Sequence, residues 1–246
     1  MDIFTAEFIG TAILLLFGNG VVASCALKHT HASGVGTNWM VITTAWGLAV
    51  FLGVVVAGPT SGAHLNPAVT LGLALADKVS WSLVPVYVAG EMLGGMFGAF
   101  LVWLYFRDQF KATEDEGARR ACFCTGPAID NPSSNFFCEV LATFVLVFVI
   151  FHIAGGSITL PGSHESTPIG LGSMGALPAA FLVWALGLSL GSTTGYAMNP
   201  ARDTGPRLVL TLLPMKVPAQ WGYAWIPCLG PLLGGALAAW AYQALN

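Results

Sequence analysis

Long apolar stretches alternate with short polar connections along the whole chain. A helix needs about 20 apolar residues to cross a bilayer core about 30 Å thick. The stretches of that length are 3–27, 39–58, 81–106, 135–155, 174–192 and 222–244. The pattern therefore predicts an all-α membrane protein with six transmembrane helices.

Two further apolar stretches, 67–76 and 200–213, are too short to cross a bilayer. As a helix, the first is about 15 Å long, roughly half the thickness of the hydrocarbon core. Each stretch begins with Asn-Pro-Ala, in which Asn caps the first backbone N–H groups and Pro starts the helix without losing a hydrogen bond. Gly205-Pro206 favours a break or a kink in the second stretch, but we retain one helix there. We predict two re-entrant half-helices, which imply a pore or cavity because irregular backbone at membrane depth must be buried in protein or line an aqueous path.

A repeat relates the two parts of the chain. The triplet occurs as Asn66, Pro67, Ala68 and again as Asn199, Pro200, Ala201. Glu7 and Glu139 follow nearly the same spacing, 132 residues against 133 for the triplets. Three crossings per repeat invert the second repeat, so the half-helices should meet near the bilayer midplane. The sequence predicts a single domain, 1–246, made of two inverted repeats at about 1–120 and 133–246.

The composition excludes several classes of function. Hydrophobic residues make up 55% of the chain and charged residues 9%, far below the roughly 25% of soluble domains. The formal net charge is −3 and no basic run is present, so nucleic acid is not expected as a partner. The cysteines lack metal-ligand spacing, and we expect neither a metal nor a cofactor. His-Glu-x-x-His does not occur, and the one Gly-x-Ser-x-Gly match, 187–191, lies inside a predicted span and not at a strand-to-helix turn, which argues against an enzyme.

Twin Asn-Pro-Ala half-helices in a six-span inverted repeat resemble the aquaporin superfamily, and the resemblance covers essentially the whole chain. The second triplet is followed by Arg202-Asp203. This pair resembles the glycerol-facilitator branch, whereas water-selective members usually carry a small residue after the Arg. The resemblance implies a passive channel for glycerol, water and other small neutral solutes. It also implies a homotetramer with one pore per subunit, in the lipid bilayer of a prokaryotic plasma membrane.

The resemblance further implies a selectivity filter formed by Trp46, Gly187, Tyr196 and Arg202. Gly187 would widen the opening, and Tyr196 replaces the Phe common at its position. A guanidinium at membrane depth needs an aqueous path or acceptors, which supports the filter role of Arg202; a structural ion pair with Asp203 is the alternative. The two aromatic rings would contact the carbon atoms of glycerol, and the guanidinium would donate to its hydroxyls.

The loops before the two triplets would line the pore with their carbonyl oxygens. The residues concerned are Gly62, Ala63, His64, Leu65, Gly195, Tyr196, Ala197 and Met198. His64 either faces the pore or braces its loop. In the resemblance, Glu7 and Glu139 accept hydrogen bonds from these loops, and Asp203 is a further supporting residue. Glu91 departs from the amide expected at its position.

The predicted arrangement opposes ions. Each half-helix N-terminus carries about half an elementary positive charge, which together with Arg202 would repel cations and protons. Asn66 and Asn199 would donate amide hydrogens to neutral solutes. An ion channel is disfavoured because the chain lacks acidic rings and a carbonyl-filter sequence. The alternative function is a proton-coupled transporter with an intramembrane carboxyl as its proton site, among Glu7, Glu91 and Glu139.

The segment 107–134 is the one long polar stretch, and we expect a solvated loop there. By the positive-inside rule, its four basic residues would place it in the cytoplasm. The resemblance instead places this loop outside and both termini in the cytoplasm. We follow the resemblance, because the loop is acidic overall and the motifs match in both halves.

Overall fold

The computed structural model describes residues 1–33, 38–159, 161 and 165–246. The helices are α1 Ile3–Ala26, α2 Trp39–Ser61, α3 Pro67–Leu75, α4 Val84–Tyr105, α5 Arg107–Ala112, α6 Glu116–Ala121, α7 Pro132–His152, α8 Leu177–Leu190, α9 Pro200–Leu212 and α10 Trp225–Leu245. A short antiparallel hairpin of β1 Gly156–Thr159 and β2 Ser166–Ile169, followed by a 3-10 turn at Gly172–Ala176, connects α7 to α8.

The six predicted membrane spans are confirmed as α1, α2, α4, α7, α10 and the segment Gly172–Leu190 that includes α8. Within the described residues, these helices are long and apolar enough to cross a bilayer. The ends differ from the predicted ones by a few residues. For example, α7 begins at Pro132 because Asn131 caps it, accepting a hydrogen bond from the Ser134 amide at 3.2 Å.

The two predicted half-helices are present as α3 and α9. Each is capped by the Asn of its triplet: Asn66 Oδ1 accepts from the Ala68 amide, and Asn199 Oδ1 accepts from the Ala201 amide, both at 2.9 Å. Helix α9 runs without a break through Pro206, as one helix. The preceding glycine allows close packing there, because a Cβ at Gly205 would lie 3.2 Å from the Met92 carbonyl oxygen of α4.

Glycines allow the two halves of the chain to pack closely against each other. A Cβ at Gly95 of α4 would lie 2.5 Å from the carbonyl oxygen of Ala201 in α9. A Cβ at Gly235 of α10 would lie at the same distance from the carbonyl oxygen of Ala68 in α3. The last spanning helix of each half therefore packs directly on the half-helix of the other half, with the close backbone approach that small residues permit in bilayers.

The segment 107–134 is not simply a solvated loop, and that prediction is wrong for its inner part. It contains the short helices α5 and α6. Phe110, Cys122 and Phe123 are buried against apolar residues of α1, α4 and α9. Burial of these side chains holds the segment against the helix ends, because apolar area is removed from water. Most of its charged residues are exposed, whereas Arg119 and Arg120 are half-buried.

Candidate functional site

The two triplets meet through their asparagine side chains. Asn66 Nδ2 donates to the carbonyl oxygen of Met198, and Asn199 Nδ2 donates to that of Leu65, both at 2.7 Å. Each asparagine thus caps its own half-helix with one atom and ties down the opposite loop with the other. Because an amide nitrogen carries two hydrogens, one donor on each side chain remains for another acceptor.

The loops that precede the triplets have matching backbone conformations. Ala63 and Leu65 in the first loop, and Tyr196 and Met198 in the second, have positive φ angles of 55°, 53°, 38° and 48°. Non-glycine residues rarely adopt this region, and the strain persists only where the surroundings enforce it. The same uncommon backbone conformations occur in both loops, so the surrounding protein must hold each loop in place.

Two buried glutamates hold these loops. Glu7 accepts hydrogen bonds from the amides of His64 and Leu65 at 3.0 and 2.7 Å, and from Ser61 Oγ at 2.5 Å. The second glutamate repeats the arrangement, and its donors are the Ala197 amide at 3.0 Å, the Met198 amide at 2.8 Å and Thr194 Oγ1 at 2.7 Å, all onto Glu139. Both carboxyl groups are fully buried. The loop N–H groups are directed at the glutamates. The carbonyl oxygens of Leu65 and Met198 accept from the asparagines, and the other loop carbonyl oxygens are left for other partners.

Two cavities converge on one constriction. A cavity of about 300 Å³ is lined by both triplet asparagines and by the loop residues Gly62–Leu65 and Tyr196–Met198. A second cavity, of about 680 Å³, is lined by residues of α1, α2 and the 107–134 segment. Trp46, Tyr196 and Arg202 line both cavities. Three of the four residues that the resemblance assigned to the filter therefore lie between the two cavities.

Arg202 does not form the ion pair with Asp203 that was its alternative role. Its guanidinium lies 4.2 Å from the centre of the Trp46 ring, and Nη1 is buried with no hydrogen-bond partner among the described residues. Arg202 as a whole lines both cavities and donates no side-chain hydrogen bond to the described residues, so its guanidinium is available to a ligand or water there.

Asp203 instead pairs with Arg207, a residue not singled out from the sequence. Arg207 Nη2 lies 2.8 Å from Asp203 Oδ1, and both side chains are fully buried. The other carboxylate oxygen accepts from the amide and the hydroxyl of Thr125, each at 2.7 Å. Arg207 also donates to the carbonyl oxygens of Thr125 and Ala219. These hydrogen bonds hold α9 against the 107–134 segment. In the sequence, the one indication of the Asp203–Arg207 pair was its spacing of four residues, which places both side chains on one face of a helix.

Gly187 has a different position from the one expected. A Cβ there would lie 2.9 Å from Tyr196 Cζ and 3.0 Å from its hydroxyl oxygen, so the tyrosine ring occupies the space above the glycine. Gly187 lines neither of the two cavities. Tyr196 lines both of them. The Gly187 carbonyl accepts from Trp39 Nε1 at 3.0 Å, and Trp39 packs edge-on against the tyrosine. The glycine accommodates the Tyr196 ring, and that ring lines both cavities.

A second polar network lies beside the first loop. His64 Nδ1 is 2.9 Å from Thr70 Oγ1, which is 2.6 Å from Glu91 Oε1. The His64 ring stacks on Tyr87 with 4.0 Å between ring centres, and Tyr87 donates to the Ser61 carbonyl at 2.6 Å. His64 lines the smaller cavity, so it both faces that space and braces its loop. Sequence reasoning missed Thr70 and Tyr87, which carry no motif of their own.

The cysteines offer no ligand set. All five are free, and no group of three or more His, Cys, Asp or Glu side chains suited to a metal occurs among the described residues. Cys124, at the wall of the larger cavity, is buried, and burial raises its pKa to about 12. The thiol therefore stays protonated near neutral pH and adds no charge to the cavity.

Comparisons with known proteins agree with this geometry. The major intrinsic protein family matches residues 1–242. A probable glycerol uptake facilitator protein of Thermotoga maritima is 43% identical over 245 residues, covering 99% of each chain. A glycerol uptake facilitator protein of Streptococcus pneumoniae is 45% identical over 239 residues, covering 96% of each.

A solved structure is similar over nearly the whole fold. The aquaglyceroporin from Plasmodium falciparum superposes with a TM-score of 0.81 at 27% identity, covering 98% of this chain and 94% of its own. Together with the family match, the six spans and the paired half-helices, this likeness identifies the chain as a multi-pass membrane protein of the major intrinsic protein family.

Proposed function

We propose that this protein is a passive channel for glycerol and other small neutral solutes, including water. The observation that carries the proposal is the constriction of Trp46, Tyr196 and Arg202 between two cavities, one of which reaches the paired asparagines. Relatives named as glycerol uptake facilitators support glycerol as the substrate.

The constriction suits an amphipathic solute. The Trp46 and Tyr196 rings form an apolar wall for the carbon atoms, and the Arg202 guanidinium supplies donors for a hydroxyl. Beyond it, the loop carbonyl oxygens accept from the solute, while Asn66 and Asn199 each have one amide hydrogen left to donate. A polyol or water exchanges one hydrogen bond for another along this path, so no polar group is left unsatisfied for long.

Ions are excluded by the same groups. The N-termini of α3 and α9 place partial positive charge near the asparagines, and Arg202 adds a full charge at the constriction. Among the described residues, an ion also finds no ring of ligands that replaces its hydration shell. Neutral solutes pass under these conditions, whereas cations and protons do not.

Glu7 and Glu139 are poor candidates for the proton site of a coupled transporter. Each accepts three hydrogen bonds from its loop, and these bonds occupy both carboxylate oxygens. Their role in this proposal is to fix the loop carbonyl oxygens. A coupled transporter would accumulate solute in proteoliposomes when a pH difference is imposed, which a channel does not do.

Stopped-flow light scattering of proteoliposomes tests the proposal. We expect rapid swelling with glycerol, slower swelling with larger polyols, and no flux of sodium or potassium. Water flux without glycerol flux would contradict the glycerol assignment, and accumulation under a pH gradient would contradict passive transport. Protein-free liposomes made from the same lipid are the control.

We further propose a homotetramer in a prokaryotic plasma membrane, with both termini cytoplasmic and segment 107–134 outside. The acidic balance of that segment supports the orientation. Within each subunit, two inverted repeats, about 1–120 and 133–246, form the single channel domain. Native mass spectrometry tests the subunit number. Protease cleavage of the segment 107–134 in intact cells tests the orientation, and cleavage only after lysis would contradict it.

A further inference from the structure

Glu91 differs from the other two buried glutamates in its surroundings. Glu7 and Glu139 each accept three hydrogen bonds, but Glu91 has one partner, Thr70, and its Oε2 has none among the described residues. The side chain is fully buried, and none of the described cationic side chains forms a salt bridge with it. The backbone amide of Asn66 also interacts with this carboxyl, without forming a hydrogen bond to Oε2.

The titratable groups that face Glu91 do not favour an anion. They are Glu7 from α1, His64 from the loop before α3, and Tyr87 on the same helix. The charged side chains of α9 are engaged elsewhere, in the contacts of Arg202 with Trp46 and of Arg207 with Asp203. An ionised carboxylate buried beside another carboxylate, with only one hydroxyl and one backbone amide as polar neighbours, is strongly disfavoured.

Whether Glu91 is protonated determines the direction of the two hydrogen bonds that link Glu91, Thr70 and His64. If Oε1 of Glu91 carries it, the acid donates to Thr70 Oγ1 across 2.6 Å, and Thr70 donates its own hydrogen to His64 Nδ1 across 2.9 Å. Each hydroxyl has one hydrogen to donate, so the donor and the acceptor are fixed in both hydrogen bonds. His64 must then carry its hydrogen on Nε2.

An ionised Glu91 would reverse the direction of both hydrogen bonds. Thr70 would donate to the carboxylate and accept from His64 Nδ1, leaving Nε2 as a bare acceptor. Nε2 makes no hydrogen bond with the described residues, and His64 lines the smaller cavity beside Asn66. The state of Glu91 thus decides whether His64 offers the cavity a donor or an acceptor.

We propose that Glu91 is a neutral acid that, through Thr70, fixes His64 as the Nε2–H tautomer, so that His64 donates a hydrogen bond to solutes in the smaller cavity. Glu91 is a positioning residue here, and it does not contact the solute. A donor at this point complements the carbonyl oxygens of the neighbouring loop, which only accept. The solute contact rests on the proposed channel function, whereas the protonation of Glu91 and the tautomer of His64 do not.

Two spectroscopic measurements on the full-length protein in lipid test the proposal. In infrared spectra, the carbonyl band of a protonated carboxylic acid should be present and should be lost in Glu91→Gln. In nitrogen-15 spectra of histidine-labelled protein, the His64 signals, identified by their loss in His64→Gln, should show a bare Nδ1 and a protonated Nε2. Absence of the acid band, or a protonated Nδ1, would overturn the proposal.

A matched pair of variants tests the role of Thr70. Thr70→Val removes the hydroxyl, so the tautomers should mix and glycerol permeability should fall roughly 2- to 10-fold, the range that one hydrogen bond supplies. Thr70→Ser keeps the hydroxyl and should keep both properties. An unchanged tautomer in Thr70→Val would overturn the relay. If the tautomer responds but wild-type protein conducts no glycerol, the proposed function fails while the assignment of Glu91 stands.

Discussion

At the scale of single residues, the two buried arginines of α9 show how identical side chains are given opposite tasks. Arg207 has every donor group directed at acceptors of its own protein, whereas Arg202 keeps Nη1 unpaired at the wall shared by the two cavities. A satisfied guanidinium stabilises the fold, and an unsatisfied one is available to a ligand. In the proposed channel, this difference distinguishes the structural Arg207 from Arg202, which we propose binds solute.

Replacing Arg202 with Ala should relax ion exclusion while leaving the fold intact. Loss of a positive charge at the constriction should lower the barrier to protons by at least about 1.4 kcal/mol, which raises proton conductance roughly tenfold. A pH-sensitive dye inside proteoliposomes measures this leak. Arg202→Lys is the matched control, since it keeps the charge and should keep protons out. Equal proton leak in wild type and Arg202→Ala would remove the assigned role.

Gly187→Ala should distort the constriction. The added methyl would lie 2.9 Å from Tyr196 Cζ, so the ring must move toward the cavities. Overpacking of this kind costs about 1–3 kcal/mol, and the displaced ring should narrow the path and reduce glycerol flux in stopped-flow assays. Gly20→Ala is the control, because a Cβ there meets no atom within 4 Å. Unchanged glycerol flux in Gly187→Ala would show that the ring does not set the width.

At the scale of elements, the sequence predicted what local chemistry determines. Span length and hydropathy gave the six crossing helices, and the capping chemistry of Asn66 and Asn199 gave the starts of α3 and α9. The short helices in segment 107–134 and the β1–β2 hairpin were missed. Their residues carry no long apolar period, and their conformations depend on packing against the helix ends.

In the candidate site as well, some features were predicted and others depend on packing. The resemblance identified Trp46, Tyr196 and Arg202, all of which line both cavities. It did not reveal that Gly187 lies beneath the Tyr196 ring or that Asp203 pairs with Arg207. The contact of Gly187 with Tyr196 arises from tertiary structure, and one sequence contains no direct signal for it. The Asp203–Arg207 pair had only its spacing of four residues as a signal.

Arg207→Met should detach α9 from the segment 107–134 and destabilise the protein. The substitution leaves Asp203 buried without its cation, and breaking a buried pair in this way typically costs about 3–5 kcal/mol. Thermal unfolding in detergent measures the loss. Lys111→Met is the matched control, because the Lys111–Asp108 pair is exposed and should contribute little. Equal stability of the two variants would contradict the anchoring role of Arg207.

At the scale of the whole molecule, the two halves are joined at the asparagines by a reciprocal pair of contacts. Asn66 holds Met198 of the second half, and Asn199 holds Leu65 of the first. Because each side chain also caps a half-helix, the capping of each half-helix and the joining of the halves depend on the same two residues.

Asn66→Ala and Asn199→Ala should therefore destabilise the protein by similar amounts. Each loses a helix cap worth about 0.5–2 kcal/mol and one cross-half hydrogen bond worth about 0.5–1.5 kcal/mol. Thermal unfolding of the single and double variants measures the losses. Asn131→Ala is the control, since Asn131 caps α7 and should lose the cap alone. A loss no greater than that of the control would show that the cross-half bonds contribute nothing.

The packing of Gly235 on Ala68 has a consequence for the order in which the protein matures. Helix α3 receives its contact with α10 only after another 160 or so residues have left the ribosome, which takes roughly 10–30 s at ordinary synthesis rates. During that interval the half-helix must lie beside the membrane or among the early helices without its final neighbour. Docking of α3 is therefore a late event in biogenesis, and a chain truncated before α10 cannot complete even its first half.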